Sequence, residues 1–577
     1  MNKEIEVRYN QWLNSECIDK KDREELELIK NNEKEIESRF FQEISFGTAG
    51  IRGIRGIGTN RINKYMIRKA TQGLANYIKK NWTDKMAETT QKAVVIAYDC
   101  RIGSKEYAMN TGLVLAANGI KAYLFKDMHS TPELSFGVRY LKTVSGIVIT
   151  ASHNPKEYNG YKVYWSDGAQ LVEPQSTGVI NEIERIKSFD EIKIMSEEEA
   201  EDSKMLKILD DSIDFEYFSE IKKQALNIEL KEKKTIKIVY TPLHGTGGRP
   251  VLHILKEMGF ESIYPVLEQL EGDGTFPTCV NANPEDPNAF QYAIKLAEKV
   301  GARICMANDP DADRIGIAVK NKENVWEYPS GNQIGLLILN YILENKKNIP
   351  ENSFVISTIV STPMLDVIAK EKQIKLYRTL TGFKYIGEKI RQFEDGELEG
   401  SYLFGFEESF GYLVGTHARD KDAIVTTMLL CEMIAYYQEK GTSILEELEK
   451  LYKKYGYYRE KIVAVTKVGE EGMKENSKLM SMLRSGKYKK ELIGKKIIYF
   501  RDYLNQIEKN IQTNKENLID LPKSDVIQYV LEDGTYITVR PSGTEPKMKY
   551  YYTINSNSEE TAEKKLEEVV RKFEALV

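Results

Sequence analysis

The sequence predicts an α/β protein with largely parallel sheets that ends in a small α+β domain. Short apolar segments, such as Val94–Ala97 and Gly146–Ile149, alternate with helix-like segments, which is the order typical of parallel α/β sheets. The chain has 577 residues, too many for one core, so we expect about three to five domains. Beyond residue 455 the pattern changes to a predicted hairpin and a final helix, which indicates a separate α+β domain.

Charge, hydropathy and cysteine spacing exclude several classes of protein. A net charge of −5 over the whole chain is close to neutral, which argues against a nucleic-acid partner. No apolar segment approaches the length that crosses a bilayer, and the N-terminus lacks the apolar core of a signal peptide, so we expect no membrane association. The cysteines are isolated, without the paired spacing of a zinc site or a redox dithiol. We therefore expect buried free thiols and a cytoplasmic protein.

The first α/β domain is expected to span residues 1–211. Its first part, to about residue 40, is strongly charged with spaced apolar positions and predicts one or two surface helices. The glycine-rich segment Phe46–Gly56 follows, in which the glycines allow close backbone approach and Arg52 could meet an anion. A glycine-rich hairpin with solvent-exposed arginines is the alternative interpretation of this segment.

The segment Thr150–Pro155 is the one most available for chemistry. It follows the apolar strand Gly146–Ile149, and sites in parallel sheets lie at the carboxyl ends of strands, so we expect Ser152 on an exposed loop. An ordinary turn is the alternative, since Ser, Asn and Pro are common loop residues. Just beyond it, Asn159 and Gly160 predict a tight turn that leads to Lys162 on a strand.

The second α/β domain, expected over residues 212–325, contains an acidic loop after a predicted strand. This loop carries Asp309, Asp311, Asp313 and Arg314. Carboxylates this close repel and raise one another's pKa unless a cation neutralises them. An EF-hand needs Gly and Glu where this chain has Arg314 and Lys320, so a calcium-sensor loop is excluded. Magnesium takes a few carboxylates plus a phosphate oxygen and fits better, with an acidic surface turn as the alternative.

Two more segments offer ligand-binding groups, in a third α/β domain expected over residues 326–455 and in a C-terminal domain over 456–577. Glu407 and Ser409 could bind adjacent sugar hydroxyls, although such a pair is common. The segment Arg540–Thr544 supplies a guanidinium, two hydroxyls and a glycine, the parts of a phosphate cradle, with a turn as the alternative. The chain has no Walker A or dinucleotide pattern, so phosphate chemistry here need not involve ATP.

The C-terminal domain is expected to contain a hairpin and a capped helix. Val526–Leu531 and Thr535–Val539 flank an Asp-Gly turn, which predicts an antiparallel hairpin. A final helix is predicted to begin near the capping pair Ser556 and Glu559, because apolar residues at helical spacing follow.

Five motifs occur in the order found in the α-D-phosphohexomutases, so the chain resembles that superfamily. They are Phe46–Arg52, Thr150–Pro155, Asp309–Arg314, Glu407–Ser409 and Arg540–Pro546. Within the superfamily the chain looks most like the bacterial phosphoglucomutase branch related to animal phosphoglucomutase-2 and phosphopentomutase. The resemblance covers essentially the whole chain. It implies an isomerase with four domains, three α/β and one smaller α+β, around a central cleft.

The resemblance also implies roles for individual residues. Ser152 would carry a phosphoryl group and, with Asp309, Asp311 and Asp313, hold one Mg²⁺ per subunit. Catalysis would proceed through a glucose 1,6-bisphosphate that also primes the enzyme. Further catalytic candidates are Lys162, Arg314, Arg52 and Lys421. Substrate-binding candidates are Gly382, Lys384, Glu407, Ser409, Arg540, Ser542, Gly543, Thr544 and Lys547. For the two lysines the alternative is phosphate binding without proton transfer; a proton-transfer role would require a lowered pKa.

Several functions remain open at this point. The segment after Ser409 lacks the Gly-His ending of the phosphomannomutase/phosphoglucomutase branch, and Lys421 is a candidate to replace that histidine. This favours glucose phosphate, with phosphopentomutase or phosphomannomutase as alternatives and a non-catalytic sugar-phosphate sensor as a distant one. A serine hydrolase is disfavoured, because no Gly-x-Ser-x-Gly elbow is present and because His153, adjacent to Ser152, is expected to diverge from it and only shape the site. The expected partner is a small sugar phosphate, and the expected state is a monomer or weak homodimer.

Overall fold

The computed structural model describes residues 2–47, 50–466, 469–485, 490–541 and 547–577. These residues form two compact units. The first unit comprises residues 1–334, 338–347 and 383–441, and the second comprises residues 335–337, 348–382 and 442–577.

The described chain opens with helices that have a core of their own. They are α1 (Lys3–Asn14), α2 (Lys20–Leu28) and α3 (Glu33–Phe40). The ring of Phe40 is fully buried and meets Tyr9 and Trp12 edge-on, with ring centroids 5.6 and 5.9 Å away. The prediction of one or two surface helices was wrong in number, since the segment forms three. Their charged faces are exposed, as predicted, and their apolar faces pack into a cluster.

The first sheet of unit 1 carries the serine loop. Its strands are β1 (Gly50–Ile54), β2 (Gln91–Tyr98), β3 (Lys121–Phe125), β4 (Thr143–Ile149), β5 (Tyr158–Trp165) and β6 (Leu206–Leu209). They lie in the order β1-β5-β4-β2-β3-β6, in which β4, β2, β3 and β6 are parallel and β1 and β5 antiparallel to their neighbours. Every residue of β4 is buried, as expected for a strand covered on both faces. The surrounding helices are α4 (Lys64–Asn81), α5 (Asp84–Thr89), α6 (Ser104–Ala117), α7 (Thr131–Tyr140), α8 (Gln175–Arg185) and α9 (Glu197–Asp202).

Asn159 and Gly160 lie inside β5, so the predicted tight turn at this position was wrong. Gly160 is needed there for a different reason. A Cβ atom on this residue would lie 2.5 Å from the carbonyl oxygen of Thr150 and 2.8 Å from that of Ile51. The glycine therefore allows β5 to approach the serine loop on one side and β1 on the other.

The second sheet of unit 1 carries the acidic loop. Its strands are β7 (Ile238–Thr241), β8 (Ile263–Pro265), β9 (Ile304–Asn308), β10 (Ile315–Lys320) and β11 (Trp326–Glu327). They lie in the order β11-β10-β9-β7-β8, with β9, β7 and β8 parallel and β9-β10-β11 antiparallel. Its helices are α10 (Ser212–Lys222), α11 (Gly248–Glu257) and α12 (Gln291–Val300). Short 3₁₀ turns occur at Phe189–Glu191, Lys231–Lys234, Leu267–Gln269 and Pro287–Phe290.

The third α/β segment is divided between the two units. It starts with α13 (Gly331–Asn345). In unit 2, β12 (Ser353–Thr358) and β13 (Lys375–Thr379) pair in parallel and are joined by α14 (Met364–Glu371). In unit 1, α15 (Phe383–Glu394) precedes the antiparallel pair β14 (Ser401–Glu407) and β15 (Gly411–Leu413), and α16 (Ala423–Glu439) follows.

The C-terminal part of unit 2 is an antiparallel sheet with helices. Its elements are α17 (Ile444–Tyr455), β16 (Tyr457–Thr466), α18 (Gly469–Arg484), β17 (Glu491–Leu492), β18 (Lys495–Asp502), β19 (Ile507–Asn510), β20 (Glu516–Leu518), β21 (Ile527–Leu531), β22 (Tyr536–Pro541), β23 (Lys547–Ser556) and α19 (Glu559–Glu574). The sheet order is β16-β23-β22-β21-β18-β19-β20, with β17 on β18. The predicted hairpin is confirmed as β21 and β22, which pair Ile527 with Val539. The helix cap is Ser558 and not Ser556, because the Ser558 hydroxyl accepts a hydrogen bond from the Thr561 amide.

The predicted fold class, three α/β segments followed by an α+β domain, is confirmed. Within the described ranges, no helix combines the length and the apolar character that a bilayer-spanning segment requires. Cys305 and Cys431 are buried free thiols as expected, whereas Cys17, Cys100 and Cys279 are only half-buried.

Candidate active site

Ser152 lies at the carboxyl end of β4, in a loop with an unusual backbone conformation. Its φ angle of 51° is in the left-handed region, which a residue with a side chain rarely adopts. Its amide donates to the Thr150 hydroxyl at 2.8 Å. Its own hydroxyl donates to Asp309 Oδ2 at 2.5 Å, across to the acidic loop of the second sheet. The loop therefore holds the serine oxygen against the carboxylates.

Arg101 fixes the shape of this loop through its backbone carbonyls. The guanidinium is 2% exposed. One nitrogen, Nη2, donates to the carbonyl oxygens of Ser152 and Asn154 at 2.5 Å each. The other, Nη1, donates to those of Pro155 at 2.8 Å and Tyr158 at 3.0 Å. A planar fork with several donors suits this arrangement, because it satisfies buried carbonyls that would otherwise lack partners.

Asp99 in turn fixes Arg101 and the start of the serine loop. This buried residue directly follows β2. Its Oδ2 lies 3.3 Å from Arg101 Nε and accepts the Thr150 hydroxyl at 2.7 Å. Its Oδ1 accepts the Arg101 amide at 2.9 Å and the Ser104 hydroxyl at 2.7 Å. Two neighbouring strand ends, those of β2 and β4, are thus tied together at the serine.

The acidic loop between β9 and β10 buries all three aspartates, with Asp309 and Asp311 fully covered and Asp313 2% exposed. One oxygen of each lies within 4.8 Å of one oxygen of the others. Asp309 Oδ1 accepts the amides of Asp313 and Arg314 at 3.1 and 2.9 Å. Burial, followed by the negative charges of Asp313 and Asp311, raises the pKa of Asp309 well above its usual range. The geometry therefore crowds three carboxyl groups into one buried loop.

These aspartates fit a hard divalent cation. Asp311 Oδ1 and Asp313 Oδ1 are buried and have no hydrogen-bond partner among the described residues. Unpaired buried carboxylate oxygens are costly unless something binds them. Oxygen donors from carboxylates and a hydroxyl are the donor set that Mg²⁺ takes in proteins. Magnesium is therefore compatible with Asp309, Asp311, Asp313 and the oxygen of Ser152.

Thr131 supports the acidic loop from the first sheet. It is the first residue of α7, whose N-terminus carries a reciprocal capping box between Ser130 and Glu133. The Thr131 hydroxyl donates to Asp311 Oδ2 at 2.8 Å, and its amide donates to the Asp311 carbonyl at 2.9 Å. The position of Asp311 is therefore set by a helix start from the other sheet of unit 1.

Two buried lysines neutralise part of this charge. Lys162 on β5 lies 2.7 Å from Asp311 Oδ2 and 3.6 Å from Asp313 Oδ2. Lys421, just before α16, lies 3.1 Å from Asp313 Oδ2 and 3.1 Å from Asp420 Oδ1. Burial acts to lower the pKa of each lysine, but the carboxylates outweigh it, so both pKa values are raised. Both are therefore ammonium groups here; the lowered pKa that proton transfer requires is not seen beside these carboxylates.

Lys162 also lowers the pKa of Asp311. Burial acts to raise the pKa of Asp311, and the charge of Lys162, followed by hydrogen bonds that include Thr131, lowers it below its usual range. Asp311 is therefore ionised and Asp309 is the carboxyl group that most easily holds a proton. The two neighbouring carboxyl groups have opposite shifts because only one of them has a close lysine.

His153 does not diverge from Ser152, so that expectation was wrong. Its Nδ1 lies 3.2 Å from the Ser152 hydroxyl oxygen. The left-handed backbone at Ser152 breaks the strand geometry on which the expectation rested. Burial, and then the charges of Arg314 and Arg52, lower the pKa of His153 well below its usual range, so the ring is neutral.

The two predicted catalytic arginines lie at the edges of this group. Arg52 on β1 is exposed and donates to Asn154 Oδ1 at 2.9 Å, within the serine loop. Arg314 forms an ion pair with Glu285, and its Nε lies 3.8 Å from Asp313 Oδ1. Both guanidinium groups therefore lie beside the serine loop or the acidic loop, where an incoming anion would meet them.

The predicted sugar-binding pair Glu407 and Ser409 lies close to Lys421. The Ser409 hydroxyl donates to Glu407 Oε1 at 2.9 Å, and that oxygen lies 4.0 Å from Lys421 Nζ. Lys384 at the start of α15 is half-buried with its ammonium 5.0 Å from the Tyr385 ring centroid. Unit 1 thus brings together Ser152, Lys162, the three aspartates, Lys421 and the Glu407–Ser409 pair.

The remaining candidates belong to unit 2. Gly382 has a φ of 121° that only glycine adopts readily, Arg540 lies on β22 and Lys547 begins β23. Arg540 and Lys547 are half-buried on adjacent antiparallel strands. The predicted Ser542, Gly543 and Thr544 lie outside the described residues.

The sequence interpretation did not assign Asp99, Arg101 or Thr131 to the site. A signal was available for the first two, because they follow the strand β2, a neighbour of β4. No comparable signal exists for Thr131, since its partner Asp311 is distant in sequence and joins it only in the folded unit. The arrangement as a whole offers a serine nucleophile, a cation site, fixed ammonium groups and a hydroxyl-binding pair, which suits phosphoryl transfer to or from a polyol.

Comparison with known proteins gives consistent results along most of the chain. Residues 43–190, 215–322 and 330–455 match the models described as phosphoglucomutase/phosphomannomutase alpha/beta/alpha domains I, II and III. A curated phosphoglucomutase of Staphylococcus haemolyticus is 38% identical over 519 residues, which cover 90% of this chain and 92% of that protein.

Solved structures with lower identity agree in fold. A phosphoglucomutase/phosphomannomutase family protein of Burkholderia thailandensis aligns with a TM-score of 0.65 at 19% identity, covering 92% of this chain and 98% of that one. The open form of parafusin, a phosphoglucomutase of Paramecium, aligns with a TM-score of 0.64 at 20% identity, covering 92% and 94%. At these identities the likeness concerns the fold alone.

Proposed function

The chain belongs to the phosphoglucomutase/phosphomannomutase family, and from this premise we propose that Ser152 shuttles a phosphoryl group between the two ends of a glucose phosphate. As a phosphoglucomutase the protein is an isomerase that interconverts α-D-glucose 1-phosphate and glucose 6-phosphate. The single observation that carries the proposed mechanism is the 2.5 Å contact between the Ser152 hydroxyl and Asp309 Oδ2. It places the serine oxygen directly beside a group of carboxylates that fits a cation.

In the proposed reaction, phosphoserine 152 donates its phosphoryl group to the free hydroxyl of the bound sugar phosphate. The bond between phosphorus and the serine oxygen breaks as a bond to the sugar oxygen forms, which yields glucose 1,6-bisphosphate. The bisphosphate reorients and returns its other phosphoryl group to Ser152. The same bisphosphate would prime a dephosphorylated enzyme. Mg²⁺ held by Asp309, Asp311, Asp313 and Ser152 would supply charge neutralisation at the transferring group.

The protein's own residues position the serine and neutralise charge. Arg101 and Asp99 keep the loop rigid, so the serine oxygen stays in one place while the phosphoryl group is attached or removed. Lys162 and Lys421 stand beside the carboxylates as fixed ammonium groups and would stabilise the oxygens of the transferring phosphoryl group. Arg52 would add positive charge beside the serine loop, and Arg314 would add it beside the acidic loop.

The proton of the attacking sugar hydroxyl needs an acceptor near Ser152. His153 is neutral and lies 3.2 Å from the serine oxygen, and the two lysines are protonated in the arrangement described above. The lysines are thus suited to donate a proton to the serine oxygen as it leaves, and to accept one only once their carboxylate partners are neutralised. Lys162 and Lys421 remain our candidates for this transfer.

We propose that Glu407 and Ser409 bind adjacent sugar hydroxyls and that Gly382 and Lys384 also bind the substrate. Glu407 is 5% exposed and its Oε1 already accepts one hydroxyl, that of Ser409, so it is oriented to accept another. Arg540, Ser542, Gly543, Thr544 and Lys547 are proposed to bind the phosphate that does not react, on the basis of the superfamily motif. We further propose a monomer or weak homodimer in the cytoplasm, and domain boundaries at residues 211, 325 and 455.

Replacement of Ser152 tests the proposal. Ser152→Ala should lower kcat by at least about a thousand-fold, because the group that accepts and donates the phosphoryl is gone. Ser145→Ala is a matched control. Its hydroxyl is equally buried and donates to the Tyr164 carbonyl at 2.6 Å, on the same strand but away from the loop. This control should lose stability and keep kcat.

Mass spectrometry of the intact protein supplies the second readout. The wild type incubated with glucose 1,6-bisphosphate should carry one phosphate, which a sugar monophosphate then removes, and Ser152→Ala should carry none. Phosphate on the alanine variant, or normal turnover by it, would refute the shuttle. Comparison of kcat/KM for glucose, mannose and ribose phosphates would distinguish a phosphoglucomutase from the phosphomannomutase and phosphopentomutase alternatives. A protein that binds all three without turnover would be a sensor.

A further inference from the structure

A second buried group of metal-ligating side chains lies in unit 1, apart from the aspartate loop. It consists of His129, Glu133 and Asp214, called here the His129 cluster. Each is at most 5% exposed, and one ligand atom of each lies within 4.8 Å of one ligand atom of the others. The cluster lines a cavity of about 620 Å³. No step of the proposed mechanism uses His129 or Asp214, and Glu133 enters the active site only through the capping box of α7.

The imidazole of His129 is oriented as a metal ligand would be. Its Nδ1 lies 2.9 Å from the Asp127 carbonyl oxygen, and its ring stacks on Phe125 with centroids 4.1 Å apart. Its Nε2 points at Asp214 Oδ1, 3.0 Å away. In metal sites the histidine usually donates its outer N–H to a carbonyl or carboxylate, which fixes the ring and presents the other nitrogen to the ion.

The two carboxylates each keep one oxygen for a ligand. Glu133 Oε2 accepts the amide and hydroxyl of Ser130 at 2.9 and 2.6 Å, and among the described residues Oε1 accepts no hydrogen bond. Asp214 Oδ2 accepts from Arg249 at 2.8 Å, so Oδ1 is the oxygen that faces His129. Ser130 and Arg249 thus bind the other oxygen of each carboxylate and fix its orientation.

A further buried polar group belongs to the wall of this cavity. Thr246 also lines it and is 3% exposed, yet its hydroxyl has no hydrogen-bond partner among the residues that the structure describes. A buried hydroxyl is rarely left unsatisfied, and an ordered water or a water-bearing ligand in the cavity would satisfy it. The cavity therefore has a polar wall that lacks its partner.

We propose that the His129 cluster binds a divalent transition-metal ion of the zinc class, with His129 Nε2, Glu133 and Asp214 as ligands and the cavity side left open to water. The donor set decides the class of ion. An imidazole nitrogen with two carboxylates suits Zn²⁺, Mn²⁺ or Co²⁺, whereas Mg²⁺ prefers oxygen ligands alone. Binding of the ion would displace the proton from His129 Nε2. The charge of the ion would then neutralise the two carboxylates in place of that proton.

The competing occupant is that proton. Burial acts to lower the pKa of His129, but Glu133 and Asp214 outweigh it and raise the pKa to about 9, so without metal the ring is an imidazolium between two carboxylates. The experiment must therefore separate a bound ion from a bound proton. It must also separate this cluster from the aspartate loop, which would itself take zinc.

Zinc itself is the probe, in the full chain with Asp309→Asn to weaken the catalytic cation site. The protein is treated with EDTA, incubated with Zn²⁺, desalted and analysed for bound zinc. We expect one zinc per chain, with outer-shell scattering of one imidazole in its X-ray absorption spectrum. His153 lies beside Ser152 at the aspartate loop, so zinc bound there could also take an imidazole. The signal is therefore assigned to the His129 cluster only if His129→Gln removes it.

Variants complete the test. In the Asp309→Asn background, a further His129→Gln or Glu133→Gln should weaken zinc binding by more than about 10-fold. The control is His253→Gln, which replaces a half-exposed histidine of α11 and should leave zinc binding unchanged. Two substitutions are used in case one prevents folding, and His129→Gln should also remove the imidazole signal. No retained zinc, zinc with oxygen ligands only, or equal binding after both substitutions would refute the proposal and leave an imidazolium as the sole occupant.

Discussion

Replacement of Arg101 by lysine should lower kcat by about 100-fold, because Arg101 holds the serine loop in place. The guanidinium donates to four carbonyl oxygens of the serine loop, at 2.5, 2.5, 2.8 and 3.0 Å. A lysine ammonium keeps the charge but is a point donor without the planar fork, so it can satisfy one or two of these carbonyls. The others would be buried without partners.

The expected size of the effect follows from these contacts. Hydrogen bonds to a charged group contribute about 1.5–3 kcal/mol each, so losing two of them should lower the free energy of unfolding by roughly 3–6 kcal/mol. The loop would also relax from the left-handed conformation at Ser152. A displacement of about 1 Å at a reacting atom can cost on the order of 100-fold in rate. We therefore expect kcat to fall by about that factor.

The assay measures kcat and KM for glucose 1-phosphate, together with unfolding in urea. Arg61→Lys is the matched control, because Arg61 is also buried and donates to the Ser38 and Asn60 carbonyls, away from the serine. Both variants should be destabilised, and only Arg101→Lys should lose kcat. If Arg101→Lys keeps wild-type kcat, or if the control loses as much, the positioning role of Arg101 is wrong.

Three further outcomes are expected. Gly160→Ala should reduce kcat and stability, since its Cβ would lie 2.5 Å from the Thr150 carbonyl oxygen. Gly137→Ala is the control and should be tolerated, because the nearest neighbour of its Cβ would be 3.4 Å away. Equal kinetics and melting temperatures for the two variants would contradict this. Asp309→Asn should raise the Mg²⁺ concentration for half-maximal activity at least about 10-fold. The pKa of this buried carboxyl group is raised, which means that its ionised form opposes folding. The variant should therefore be more stable than the wild type in urea at neutral pH when no metal is bound. The pKa of His129 in the folded protein is about 9, above the ordinary 6.5. Protonation of His129 should therefore stabilise the fold fully below pH 6.5, and the free energy of unfolding should fall by roughly 3 kcal/mol as the pH rises through 9. Urea titrations in EDTA that show no such fall relative to His129→Gln would refute this.

The sequence by itself located the chemistry of unit 1. Ser152, the three aspartates and the Glu407–Ser409 pair stand at strand ends in the chain, and the structure brings them to one site. Apolar runs mark buried strands, and polar residues directly after them lie at the sheet edge, so local pattern indicated the positions of these groups. It left an ordinary turn as the alternative, and the order of the five motifs assigned their roles. The hairpin β21–β22 was predictable for the same reason, since an Asp-Gly turn fixes its register locally.

Tertiary structure alone decided how the site is held. Arg101 binds carbonyls 51 to 57 positions away, and Thr131 supports Asp311 from 180 positions away, so no sequence window contains either contact. The left-handed backbone at Ser152 brought His153 against the serine oxygen, against the alternation expected of a strand. Side-chain chemistry is a local property that the sequence states directly. Hydrogen bonds to distant backbone and the strain they sustain depend on which segments the fold places together, and the sequence does not state that.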